Sequence, residues 1–159
     1  MNPTMEIWRR FWRLNGFERV AALEAAAALC LTWLGLRLAG FRRWKSIAES
    51  FALPAEPISA ANCDAKVQEG QDVARMTAAA ARYLPFRTNC LEQSLVLWYL
   101  LQRRGIAADL RIGARKVADR FEAHAWVEKE GGVVGDQREE HLHFVPFDGS
   151  VTSMETQTH

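Results

Sequence analysis

The sequence predicts an α+β fold, on three observations: a helical first half, one strongly apolar helix opening near residue 90, and a change after Gly105 from helical spacing to two-residue alternation. Residues 17–50 lack proline and are rich in Ala, Leu and Arg, which predicts one long helix or two helices meeting near Gly35 and Gly40. Pro54, Pro57 and the Ser59 to Asp64 cluster stop helices, so 54–64 is expected to be a linker, with Cys63 in a turn-rich loop. Helical spacing returns from Ala65 to Tyr83, with Val67, Val73, Met76 and Ala80 inward, and Pro85 ends it. The chain thus divides into an N-terminal helical region (1–53), the linker, a core (65–150) and a frayed tail (151–159).

The next helix is the most informative element. In TNCLEQSLVLWYLLQRR (88–104), Asn89 is a good N-cap, and Glu92 stands three residues on, where its side chain reaches back to the cap's own N–H. Cys90 is then the first helical residue, where unpaired N–H groups and the helix dipole stabilise a thiolate. The rest of the helix is apolar on nearly every face, which predicts central burial, and Arg103, Arg104 and Gly105 form its stop.

Beyond it, Ile106, Ala108, Leu110 and Ile112 alternate with Ala107, Asp109 and Arg111, the pattern of a half-buried strand. Residues 113–120 (GARKVADR) are polar enough to be a loop. EAHAWVE alternates again, EGG turns and VVGD returns, so 122–137 reads as a hairpin. A three-residue turn centred near Glu130 sets His124 opposite Asp136, and other turns shift the register by one or two residues, still within diagonal reach. A short last strand is expected around His143 to Val145.

Composition narrows the function classes. The 159 residues suit one domain, and a net charge of +1 gives no indication of general nucleic-acid binding. Cys30, Cys63 and Cys90 are odd in number and form no CxxC pair, so neither a disulfide framework nor a zinc site is expected, and a reducing cytoplasm fits. Cys30, in an apolar helix, reads as packing. The N-terminus lacks the pattern of an export signal. In AALEAAAALCLTWLGLRLAG, Glu24 and Arg37 bound about a dozen uncharged residues, nearer a buried helix than a membrane span. Trp8, Trp12, Trp33 and Trp44, alternating with Arg9, Arg10, Arg42 and Arg43, leave peripheral membrane contact as the alternative. His141 and His143 in EEHLH read as solvated residues rather than a weak surface metal site. No GxxxxGK occurs, and no metal or cofactor is assigned.

Cys90, His124 and Asp136 make chemical sense together: an imidazole takes the thiol proton, a carboxylate fixes its tautomer, and helix-start N–H groups receive an oxyanion. Each alone also has an ordinary structural explanation, as a small buried residue, a strand histidine and a turn residue.

The runs NCLEQSLVLWYLLQRRGIAADLRIGARK and FEAHAWVEKEGGVVGD resemble the lasso-peptide biosynthesis leader peptidases of the transglutaminase-like cysteine protease superfamily. The likeness rests on a Cys-Leu opening a buried helix, an RRGI turn into a strand with an IGxRK end, and the AHAWVE strand. It spans roughly residues 65–137, and GFERVAALEAAAALCLTWLGLRLAGFRRW is similar to that family's less specific N-terminal helices. The resemblance implies a papain/transglutaminase-like core, with the Cys helix packed on a small antiparallel sheet. It implies that the leader is cut from a ribosomally made precursor through an acyl-enzyme, with Cys90 as nucleophile, His124 as base and Asp136 orienting it. A separate ATP-dependent lasso cyclase would act afterwards. A separate small leader-recognition protein is also implied, because the first 16 residues are too short to be that domain, and the basic, aromatic N-terminal helices are its candidate docking surface. Arg111, Arg115 and Lys116 read as a solvated strand end in preference to a contact for an acidic peptide. Two alternatives stand: a transglutaminase-like acyl transferase, and a non-catalytic scaffold presenting the precursor to its cyclase.

Overall fold

The computed structural model describes residues 9, 11–51, 63–135 and 143–146. Helix α1 (Gly16–Leu38) opens on a capping box between Asn15 and Glu18. It stops at Ala39, and Gly40, with φ of +76°, turns the chain into α2 (Gly40–Ser50). The two helices fold onto each other because Gly35 has no side chain: a Cβ there would lie 2.2 Å from the Trp44 ring. Trp44 Nε1 also donates to Thr32 Oγ1 at 3.1 Å. Helix α3 (Cys63–Tyr83) starts two residues earlier than spacing predicts, so Cys63 is its first residue and not part of a loop. The linker expected at 54–64 otherwise lies outside the described residues.

Helix α4 (Cys90–Gln102) is central. Leu95, Val96, Leu97, Trp98, Leu100 and Leu101 are all buried, touching α1, α3 and the sheet. Burying each such side chain contributes about 1.5–3 kcal/mol. The helix closes as the sequence indicates: Gly105 takes φ of +67°, Gly105 N–H donates to Gln102 O and Ile106 N–H to Leu101 O, both at 3.0 Å.

Four antiparallel strands follow, β1 (Asp109–Val117), β2 (Arg120–Lys129), β3 (Gly132–Val134) and β4 (Val145–Pro146), ordered β3-β2-β1-β4. Leu110, Val127 and Val134 pair across three strands as one buried row facing the helices. The fold is therefore the α+β arrangement predicted, mostly helical with a small antiparallel sheet.

Several expectations are corrected. Residues 113–120 are not a loop: β1 runs through Val117 and pairs with β2 across the two-residue turn Ala118–Asp119. The second hairpin turns on Glu130 and Gly131, with φ of +51° and +80°, because Lys129 pairs Gly132; the three-residue turn does not form, and the register shifts by one. The last strand is Val145–Pro146 in place of 143–145, and His143 is exposed. Val67 points to solvent, whereas Val73, Met76 and Ala80 are buried. Cys30 is exposed and not packed. Helix α1 is long and apolar enough to cross a membrane by length and composition alone. It buries one face, Ala21, Ala25, Leu29, Thr32 and Gly35, leaving Leu23, Leu31, Leu34 and Leu38 outside.

Candidate active site

The start of α4 is built by local chemistry. Asn89 has extended backbone, its side chain accepts from Glu92 N–H at 2.8 Å, and the Glu92 carboxylate accepts from Asn89 N–H at 2.9 Å. This reciprocal box makes Cys90 the first helical residue, as predicted. Glu92 is buried, and a buried carboxylate requires a partner. Arg37 of α1 supplies it at 3.3 Å. The Arg37 guanidinium also lies 3.9 Å over the Trp33 ring, and Trp33 packs on Phe86 at 4.8 Å. Gln93 Nε2 donates to Thr88 Oγ1 at 3.0 Å, so the turn before Cys90 is held on both sides.

Two contacts fix α4 against β2. The half-buried Cys90 thiol points at Ala123 O, 4.0 Å away, and the buried Ser94 hydroxyl donates to Ala125 O at 2.8 Å. These carbonyls flank His124. The imidazole stacks on Phe144 at 5.1 Å and Trp126 at 6.1 Å, and Arg115 lies 4.7 Å over the Phe144 ring. Gly113, opposite His124, has to be small, since a Cβ would come within 2.8 Å of both the Trp126 ring and Val145 O.

Cys90 and His124 line one cleft of about 890 Å³, walled by α3, the turn at 84–88 and the β2–β3 hairpin. They are not hydrogen-bonded to each other. Asp136 and His141 lie outside the described residues, although Gly135, one residue before Asp136, lines the same cleft. Among the described residues no group of three His, Cys, Asp or Glu could hold a metal.

Residues 28–147 match the family described as the transglutaminase-like superfamily, a span that includes α4, Cys90, His124 and the whole sheet. The chain belongs to that superfamily. No curated protein and no solved structure gives a significant match. Transglutaminase-like proteins are typically cysteine-dependent enzymes, proteases or acyltransferases. Both chemistries need an oxyanion site. The N–H groups of Glu92 and Gln93 are taken by Asn89 Oδ1 and Asn89 O, while those of Cys90 and Leu91 have no partner among the described residues and remain to donate.

Sequence reasoning missed Arg37, Ser94 and Phe144. For Ser94 the signal was there, a serine four residues after Cys90 in a mostly apolar helix, whose burial demands an acceptor. Phe144 had none, because only β4 pairing brings it to His124.

Gly135, at the end of the β2–β3 hairpin, packs against α3. Its φ is +85°, and a Cβ would lie 2.9 Å from Ala74 Cβ and 3.3 Å from Leu97 Cδ2. Gly135→Ala is expected to lower stability by about 1–3 kcal/mol in urea denaturation, combining left-handed strain with overpacking. Unchanged stability would mean that the β3 end is not held against α3.

Proposed function

We propose that this transglutaminase-like protein is a cysteine peptidase that removes the leader from a ribosomally made lasso-peptide precursor, using Cys90, His124 and Asp136. One observation carries the reading: a half-buried thiol at a capped helix start shares a cleft with an imidazole on the strand that the helix packs against. The likeness of residues 65–137 to the leader peptidases supplies the substrate class.

In this mechanism the Cys90 thiolate attacks the scissile carbonyl, and the oxyanion accepts from the Cys90 and Leu91 N–H groups. Collapse breaks the C–N bond, the imidazolium of His124 protonates the departing amine, and a thioester remains on Cys90. Water, activated by neutral His124, then releases the leader as an acid. Asp136 holds the imidazole in the tautomer that accepts the thiol proton. Catalytic hydrogen bonds of unliganded enzymes commonly tighten only when substrate binds, so the absent Cys90–His124 bond is compatible with this role. A separate leader-recognition protein presents the precursor, the outer faces of α1 and α2 are its docking surface, and the lasso cyclase acts on the product. The whole sequence of steps takes place in the cytoplasm.

Cys30 is an internal control, because it is more exposed than Cys90 but lies inside α1, with no histidine beside it among the described residues. Iodoacetamide at neutral pH, read by peptide mass spectrometry, is expected to alkylate Cys90 about tenfold faster than Cys30, with the advantage reduced in His124→Ala. A Cys90 rate no higher than that of Cys30 would remove the activated nucleophile and leave the scaffold alternative.

A further inference from the structure

Among the described residues, the charges on the cleft wall do not balance. Arg75, Arg82 and Arg87 are among its described lining residues, and no carboxylate is. Arg75 is already neutralised, by Glu18 at 2.5 Å and Asp72 at 2.9 Å. The same holds for the strand arginines that the sequence offers to an acidic peptide: Arg111 pairs Glu128 at 3.0 Å and Arg115 pairs Glu122 at 2.6 Å. Arg82, in the last turn of α3, and Arg87, three residues before Cys90, are different. Both are exposed, and neither makes an ion pair, hydrogen bond or ring contact with any described residue. Arg82 donates to no carbonyl of its own helix end, so its guanidinium is not engaged in capping.

We propose that Arg82 and Arg87 form an anion-reading subsite of the cleft, selecting a peptide that carries an Asp or Glu side chain close to the bond presented to Cys90. The inference rests on the peptidase reading for its substrate class, and on the unpaired arginines for its charge. A guanidinium presents a planar fork of N–H donors that suits a carboxylate. Two of them in a cleft with no described carboxylate favour an anionic ligand and oppose a cationic one. On the same helix as Arg82, Ala74, Ala78 and Ala81 also line the cleft and are small enough for a peptide backbone to approach.

The test uses full-length protein carrying Cys90→Ala, so that nothing is turned over. Fluorescent Ala-Ser peptides with one Asp at successive positions, each beside its Asn counterpart, are titrated by anisotropy at low salt. Asp at one position is expected to strengthen binding about fivefold to tenfold over Asn. Arg82→Gln and Arg87→Gln should each shrink that ratio, the double variant should bring it to about one, and added salt should do the same. Arg120→Gln, an exposed arginine at the start of β2 that is not among the cleft's lining residues, should leave it unchanged. Both cleft arginines are exposed, so the variants are expected to fold. The proposal is overturned if Asp and Asn peptides bind alike at every position, if the preference survives the double variant, or if no peptide binds up to about 1 mM. Alkylation of Cys90 decides the peptidase reading separately: charge selection beside an unreactive thiol would keep the subsite and sink the peptidase, and the converse would sink the subsite alone.

Discussion

On the proposed mechanism Cys90→Ala is expected to abolish precursor cleavage, a loss of about 10⁴-fold or more, because among the described lining residues no second thiol can form the covalent intermediate. Stability should change by less than about 1 kcal/mol, since the thiol is half-buried and its one polar contact among the described residues is the long one to Ala123 O. Cys30→Ala and Cys63→Ala should retain activity. Asp136→Asn should slow turnover by orders of magnitude through loss of the correct imidazole tautomer. The measurement is mass spectrometry of the precursor after incubation with each variant, together with the leader-recognition protein. Adding a primary amine separates the two chemistries open to an acyl-enzyme: a peptidase releases a leader ending in a free acid, whereas an acyltransferase yields the amide. Cleavage that survives without Cys90 would end the proposal. Precursor binding that survives without any cleavage by the unmodified protein would favour the scaffold.

What the sequence disclosed follows from how local each feature is. The Asn89–Glu92 box lies within four residues and is legible as a spacing, and so is the position of Cys90. The Arg37–Glu92 pair joins residues 55 apart, and nothing in either neighbourhood announces it. Strand β1 was legible as far as Ile112 because one face is buried there. From Ala114 onward it is held by the backbone ladder and the Arg115–Glu122 pair and covers little core, so the alternation that marks a strand disappears. In α1 the apolar content was plain but the buried face was not. The helices approach through Ala21, Ala25 and Gly35, where small side chains permit close packing around the buried Leu29, and Leu23, Leu31, Leu34, Leu38 and Cys30 are left outside. At the second hairpin, EGG suggests a turn but not its length. Glu130 accepts a left-handed conformation, so Gly132 remains free to enter β3, and the register moves by one residue.

Arg37→Leu is expected to cost more than its exposed position suggests. The Arg37 side chain is 51% exposed but that of Glu92 is 4%, so removing the arginine strands a carboxylate in the core with, among the described residues, the Asn89 N–H alone to satisfy it. Losing a buried ionic partner in this way costs about 2–3 kcal/mol. Glu92→Gln should cost about 1 kcal/mol or less, because an amide oxygen can still accept from Asn89 N–H and the freed guanidinium already reaches water and the Trp33 ring. In the double variant the stranded charge is gone, so urea denaturation should give a loss well below the sum of the two single changes. Cys90 reports the same event. A carboxylate without its cation, two residues away in the same helical turn, leaves an unbalanced negative charge beside the site, so alkylation of Cys90 should slow in Arg37→Leu, recover in Arg37→Leu with Glu92→Gln, and be largely retained in Arg37→Lys. Additive losses with an unchanged alkylation rate would mean that water takes the place of Arg37, and that the N-terminal helix contributes packing to the site but no electrostatic control of its nucleophile.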